Sequence, residues 1–161
     1  MLLHLVTVAL MMMACASEAL GATVNCTAAR SEIDVCLRGA GQKKSFMQFN
    51  TDLFNGNEAG VTALLKKKKT NGCIKASVWP DIQAWIKVFT PPKTSVAIHR
   101  SLSKAQIKTI MQALYDRTNQ KLQKKAGAIF QILSKKYDNL SEADKKEDAE
   151  WTTKYKEACG Y

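Results

Sequence analysis

Apolar residues recur every three or four positions along nearly the whole chain, and this spacing limits the fold more than any other feature. After Pro80, four large apolar residues follow the i, i+3, i+4, i+7 pattern that forms one face of an α-helix. They are Ile82, Trp85, Ile86 and Phe89. No segment of useful length shows the strict alternation that is typical of a β-strand. The sequence therefore predicts an all-α protein, a disulfide-linked bundle of about five helices.

The longest periodic segment covers residues 103–137 and contains no proline. Ser103 and Gln106 have the spacing of a capping box, so we expect a helix to begin near Ser103. Apolar residues continue at helical spacing from Ile107 onward. Uninterrupted, a helix of about 34 residues would be roughly 50 Å long, which exceeds the width of a small domain. The sequence predicts one long helix here, with Gly127 as the place of a bend.

Residues 1–21 have the composition of a cleaved secretory signal peptide. An apolar run from Leu2 to Ala16 is followed by small residues that end at Gly21, although the usual basic flank lacks Lys and Arg. Nothing later in the chain approaches the ~20 apolar residues that a transmembrane helix needs. We therefore expect a secreted, extracellular protein with a single helical domain at residues 22–161 and no transmembrane segment.

Four cysteines remain once the signal peptide and its Cys15 are removed. In an oxidising compartment, an even number of cysteines indicates disulfides, here two bridges with three possible pairings. The sequence does not choose among them, and our preferred pairing joins Cys36 to Cys73 and Cys26 to Cys159. A zinc site is not expected, because the cysteines lack C-x-x-C spacing and only one histidine accompanies them.

Charge is the strongest functional signal in the sequence. The chain has 24 basic and 14 acidic residues, and loss of the signal peptide with its Glu18 would raise the net charge from +10 to +11. Lysine accounts for 20 of the 24 basic residues. Lysine is a strongly hydrated point charge, whereas sequence-specific nucleic-acid recognition favours the planar guanidinium of arginine. We therefore predict a binding protein whose partner is anionic and extracellular: a sulfated glycan, an anionic surface or an acidic protein.

One run of lysines near a predicted helix end is the leading candidate for that partner's site. It consists of Lys66, Lys67, Lys68 and Lys69. Adjacent cations attract sulfate and phosphate groups, but lysines in a last helical turn also simply suit the helix dipole. Further lysines on the predicted long helix would enlarge a cationic face. They are Lys121, Lys124, Lys125, Lys135 and Lys136.

Aromatic residues support a second hypothesis, in which the protein carries a lipid or another small hydrophobic ligand in a cavity between helices. The candidate lining residues are Phe46, Phe49, Phe54, Trp79, Trp85, Phe89 and Phe130. The alternative is that these side chains form an ordinary core. A third hypothesis is a membrane-active host-defence protein, which would need amphipathic helix faces that the bundle itself is expected to bury.

The sequence contains no nucleophile elbow, zinc-protease motif, phosphate-binding loop or dinucleotide fingerprint. His99 is the only histidine after residue 21, and we expect it to be solvated in a connector at residues 93–101. We therefore predict no enzymatic activity, no cofactor and no metal site. Two N-glycosylation sequons begin at Asn25 and Asn139, and each is a candidate attachment site if exposed.

Protein collected from the medium of secreting cells is expected to begin near Ala22 and to contain no free thiol, because export removes the signal peptide and permits disulfide formation. Amino-terminal sequencing and thiol titration under denaturing conditions measure both properties. An intact Met1 together with reduced cysteines would contradict the signal-peptide interpretation.

Overall fold

A computed structural model describes residues 24–160, and all regular secondary structure in this range is helical. The all-α prediction is confirmed, but the described residues form eight α-helices rather than about five. These are α1 (Cys26–Arg38), α2 (Lys43–Phe54), α3 (Glu58–Thr70), α4 (Trp79–Phe89), α5 (Lys93–Arg100), α6 (Lys104–Tyr115), α7 (Gln120–Asp138) and α8 (Glu142–Cys159). A short 3₁₀ helix, Ala76–Val78, precedes α4. The predicted signal peptide, residues 1–21, lies outside the described residues.

Polar side chains cap the first turn of several helices. The Ser103 side chain accepts a hydrogen bond from the backbone N–H of Gln106, whose side chain accepts from the backbone N–H of Ser103. This is the expected capping box. Asn57 caps α3 by accepting from the backbone N–H of Gly60 at 3.1 Å. Such caps satisfy N–H groups that have no partner within the helix, and each stabilises a helix start by about 1 kcal/mol.

The predicted connector at residues 93–101 is wrong, because Lys93–Arg100 form the helix α5. Pro92 stands at its N-cap with an extended backbone, where the missing N–H costs nothing and the proline does not block the helix. A helix of this length is marginal in isolation. It is stabilised by packing against α7 and α8 and by burial of Ile98 and His99. Two or three apolar residues carry too little periodicity to indicate such a helix from sequence.

The predicted long helix is also wrong, because the chain leaves the helical path after Tyr115 and resumes it at Gln120. Asn119 begins α7 by accepting a hydrogen bond from the backbone N–H of Leu122 at 3.1 Å. No bend occurs at Gly127, which lies inside α7. The interruption lets α6 and α7 pack against each other, so that their apolar faces share one core instead of lining a single exposed rod.

Arg38, at the end of α1, occupies the point where α6 stops. Its guanidinium donates to the backbone oxygens of Leu114 at 3.0 Å and Tyr115 at 2.9 Å. These carbonyls have lost their helical partners, so the arginine replaces the hydrogen bonds that an unbroken helix would make. Arg38 also forms an ion pair with Asp34 at 2.6 Å and lies 4.7 Å from the ring centre of Phe46. One side chain thereby joins α1, α2 and the end of α6.

Two apolar clusters fill the bundle. The first lies among α1 to α4 and α8 and includes Leu37, Phe49, Leu65, Ile82, Trp85 and Tyr155. The second lies among α5, α6 and α7 and consists of Ile98, Leu102, Ile110, Met111, Ile129 and Leu133. Leu114 packs against both clusters. The second cluster and its border with the first therefore form because the helix is interrupted after Tyr115.

Two disulfides confirm the preferred pairing, Cys26 with Cys159 and Cys36 with Cys73. The first joins the start of α1 to the end of α8 across a sequence separation of 133 residues. The second joins α1 to the segment after α3 across 37 residues. On the chain-entropy model, loops of these sizes correspond to about 5 and about 4 kcal/mol of stabilisation respectively.

Replacement of Arg38 by Gln is expected to lower the free energy of unfolding by about 2–3 kcal/mol, because two helix-end carbonyls and one carboxylate lose their charged partner. Arg38→Lys keeps the positive charge but lacks the planar guanidinium that donates to both carbonyls at once, so its effect should be intermediate. Urea unfolding followed by circular dichroism measures both. The exposed Lys135→Gln is the control and should stay within about 0.5 kcal/mol of the parent. Equal effects of Arg38→Gln and the control would contradict the capping role.

Candidate functional site

The lysine run at the end of α3 does not form a single cationic face. Four consecutive helical residues point in directions that span roughly 300° around the axis. Lys68 donates a hydrogen bond to the Gln42 side chain, and the Lys69 ammonium lies 5.4 Å from the ring centre of Trp79. Lys66 and Lys67 are exposed. The run is thus divided between two lysines that bind neighbouring side chains and two that point into solvent in different directions.

A more continuous cationic surface lies on α7. Five exposed lysines occupy this surface: Lys121, Lys124, Lys125, Lys135 and Lys136. At 3.6 residues per turn they fall within about a third of the helix circumference, and they span roughly 22 Å along the axis. The midpoint of this surface lies about 110° around the helix axis from the midpoint of the buried residues of the same helix, Ala126, Ile129 and Leu133. We call these five residues the α7 lysine face.

Acidic side chains do not neutralise the α7 lysine face within the part of the chain that the structure describes. In residues 24–160, none of its lysines takes part in an ion pair shorter than 4.0 Å. In α8, by contrast, Lys145 pairs with Glu142 at 3.0 Å and Lys146 with Glu150 at 3.9 Å. The only acidic residue of α7 is Asp138, at its last position. The positive charge of α7 is therefore available to an external anion.

Where the two apolar clusters meet, they leave a cavity of about 70 Å³. Its apolar lining includes Phe54, Phe89, Ile110, Met111, Phe130 and Leu133. Four polar residues also line it, namely Ser95, His99, Asp148 and Trp151. Small-molecule sites commonly combine an apolar lining with a few converging polar groups, although they are usually larger, about 300–1,000 Å³.

His99 is 8% exposed, so the expectation of a solvated histidine is wrong. Its ring stacks on Phe54 with ring centres 5.4 Å apart, and its Nδ1 lies 3.2 Å from Asn55 Oδ1. Since the Asn55 oxygen can only accept, Nδ1 carries the proton, and in the neutral ring Nε2 is an acceptor. This Nε2 is buried and has no hydrogen-bond partner within residues 24–160.

On α8, Trp151 and Asp148 supply the other polar groups of the cavity. The indole N–H of Trp151 is buried and, like His99 Nε2, unpartnered within the described range. Asp148 is also buried, and its carboxylate accepts a hydrogen bond from Ser95 Oγ at 2.5 Å. Burial, followed by the charge of Asp148 and a hydrogen bond to it, raises the pKa of Tyr137. Asp148 thus has partners, whereas His99 and Trp151 each have one buried nitrogen without a partner within residues 24–160.

The structure brings together only part of the predicted aromatic pocket. Phe54, Phe89 and Phe130 line the cavity, whereas Phe46, Phe49 and Trp85 lie in the first apolar cluster. A second cavity of only about 20 Å³ adjoins the latter three and Asn50. Sequence reasoning missed Ser95, His99, Asp148 and Trp151. For Ser95 and His99 the one signal is their spacing with Ile98 and Leu102, which matches a buried helix face.

Both sequon asparagines are exposed, and both already act at helix termini. Asn25 caps α1 by accepting from the backbone N–H of Ala28 at 3.0 Å. The Asn139 side chain donates to the backbone oxygen of Lys135 at 2.9 Å, after the end of α7. Their exposure is compatible with glycosylation, which stays a prediction.

Residues 24–160 contain no group of three or more His, Cys, Asp or Glu side chains placed to hold a metal ion. In the same range, no helix combines the length and apolar character required to cross a membrane. No protein-family model, curated protein or solved structure matches this chain.

Stability is expected to fall on acidification because of His99. Burial, and secondarily the charge of Arg100, lowers the pKa of His99 below its ordinary value of 6.5. The unfolded chain therefore takes up a proton at higher pH than the folded protein does. The effect of His99 on the free energy of unfolding is therefore absent well above the ordinary pKa. As the pH drops through that value, the free energy of unfolding falls, and the fall ends below the pKa of His99 in the folded protein.

Urea unfolding at intervals between about pH 8 and pH 5 measures this dependence, and His99→Gln is the matched variant. The variant should show a shallower slope of stability against pH, whatever its absolute stability. Direct titration of the imidazole by NMR gives the folded pKa. Parallel slopes for parent and variant would contradict the assignment.

Proposed function

We propose that this chain is a secreted, non-enzymatic protein that binds an anionic extracellular partner through the α7 lysine face. The observation that carries the proposal is the alignment of five exposed lysines on one helix face, with no ion pair to them within residues 24–160. Such a surface attracts anions over a distance of about one Debye length, roughly 8 Å at physiological ionic strength. The two disulfides fit a protein of the extracellular space.

The arrangement of the lysines favours an extended polyanion over a small anion. Lys121, Lys124 and Lys125 form one group, and Lys135 and Lys136 form another, roughly 15 Å away along the helix. A single sulfate or phosphate cannot contact both groups. A sulfated glycan chain carries many charges along its length and can contact both at once, so we take it as the preferred partner.

Chromatography on heparin tests this proposal. The parent protein is expected to elute above physiological salt, because several lysine–sulfate pairs act together and each is weakened by added ions. The triple variant Lys121→Gln/Lys125→Gln/Lys136→Gln should elute at clearly lower salt. In solution, its slope of log affinity against log salt should become shallower by about one for each lysine–sulfate pair that the substitutions remove.

The matched control is Lys66→Gln/Lys67→Gln/Lys69→Gln, which removes the same charge from the run on α3. A smaller shift for this control would assign binding to α7. Equal shifts would mean that net charge alone determines retention and would contradict the α7 site. Elution of the parent below physiological salt would contradict the glycan proposal altogether.

A second candidate function, transport of a small apolar molecule, is favoured by one observation: the largely apolar cavity between the two clusters. At about 70 Å³ this cavity is too small for a lipid chain without rearrangement of the helices. The third hypothesis, membrane disruption, lacks comparable support, because Ile129 and Leu133 of α7 are buried in the second cluster.

A further inference from the structure

We propose that an N-linked glycan on Asn139 regulates polyanion binding by the α7 lysine face, because it covers the group formed by Lys135 and Lys136. This inference rests on the proposed function, which supplies both the anionic partner and the export that N-glycosylation requires. It connects the second sequon, Asn139-Leu140-Ser141, to the binding surface.

Asn139 continues the surface of α7, although it lies just after the last residue of this helix. Its backbone N–H still donates to the backbone oxygen of Lys135 at 3.3 Å, so its position follows the helical path. At about 100° per residue, Asn139 lies roughly 40° around the axis from Lys135 and roughly 60° from Lys136, between the two. This direction coincides with the midline of the α7 lysine face.

The atom that receives the sugar lies beside the second lysine group. Asn139 follows Lys135 and Lys136 by roughly 5–6 Å along the axis, and residues three or four apart are neighbours on a helix surface. Its side-chain nitrogen, Nδ2, lies 2.9 Å from the backbone oxygen of Lys135. All three residues are exposed. An N-glycan on Nδ2 therefore begins within one helical turn of both lysines.

Modification of Asn139 is compatible with the fold. N-glycosylation replaces one of the two hydrogens on Nδ2, and the hydrogen bond to the Lys135 oxygen needs only one of them. The exposed side chain of Asn139 leaves room for the sugar. The N-glycan therefore adds bulk at the end of α7 without displacing a packed residue.

The N-glycan divides the α7 lysine face into a covered and an accessible part. An N-glycan is bulky, and a neutral one offers no positive charge in place of the lysines it covers. Lys121, Lys124 and Lys125 lie roughly 21–27 Å from Asn139 along the axis and stay accessible. A polyanion that needs both lysine groups then contacts only one. The glycosylated protein is therefore the weaker binder, and the protein without this N-glycan is the stronger one.

Trimming of the N-glycan on the folded protein tests the inference. The full chain is secreted from cells in which glycan processing stops at the neutral oligomannose stage, and mass spectrometry of the peptide that contains Asn139 measures occupancy. Endoglycosidase H then leaves one sugar without changing the sequence. We expect the trimmed protein to elute from heparin at clearly higher salt. Its slope of log affinity against log salt should be steeper by about two, one for each uncovered lysine.

Three variants assign this effect to particular residues. Asn139→Gln removes the second sequon and should elute with the trimmed protein. Asn25→Gln is the matched control, because Asn25 caps α1 and does not belong to α7; it keeps the N-glycan on Asn139 and should elute with the untrimmed parent. Lys135→Gln/Lys136→Gln removes the two lysines that the N-glycan covers. In this variant trimming should leave the slope unchanged.

An unmodified Asn139 in the secreted protein would overturn the inference. Equal elution before and after trimming would also overturn it, as would a full effect of trimming in Lys135→Gln/Lys136→Gln. These results leave the proposed function standing, provided that Asn139→Gln is retained on heparin above physiological salt. Elution of Asn139→Gln below physiological salt would instead reject polyanion binding itself, and the regulation with it.

Discussion

The end of α6 is the point on which the second half of the bundle depends. A helix that stops leaves backbone carbonyls without partners, and such carbonyls are costly when they are removed from water. Arg38 satisfies two of them from α1, and the Gln123 side chain donates to the backbone oxygens of Ala113 at 2.8 Å and Asp116 at 3.1 Å. Because these bonds replace those of a continuous helix, the chain can turn and pack α7 against α6.

That turn creates both candidate sites. It places Ile110 and Met111 of α6 against Ile129 and Leu133 of α7, which forms the second cluster and the cavity at its border with the first. It also leaves an outer side of α7 in solvent, where its lysines are exposed together with Ile132, which is 41% exposed. A single continuous helix would carry the same residues without a cavity and without a defined outer side.

The acidic residues explain why the lysines of α7 lack ion-pair partners within residues 24–160. Much of the acidic charge of the second half lies on α8, where it is used for docking α5. Thr94 donates to Asp144 at 3.2 Å and to Glu147 at 2.9 Å, and Ser95 donates to Asp148. These bonds hold the start of α5 and help to bring His99 to the cavity. The carboxylates of α8 therefore hold α5 in place, and the lysines of α7 remain as a cationic face.

Local chemistry in the sequence determined the helical class, several helix starts and the excess of positive charge. The capping box at Ser103, the cap at Asn57 and the apolar face from Ile82 to Phe89 depend on residues close in the chain, so periodicity and cap preferences predict them. The disulfide pairing was a preference among three that the structure confirmed. Only the tertiary structure decided the helix break after Tyr115, the helix at Lys93–Arg100 and the burial of His99. Each depends on partners far along the chain, such as Arg38 for the break, and local sequence patterns carry no information about such partners.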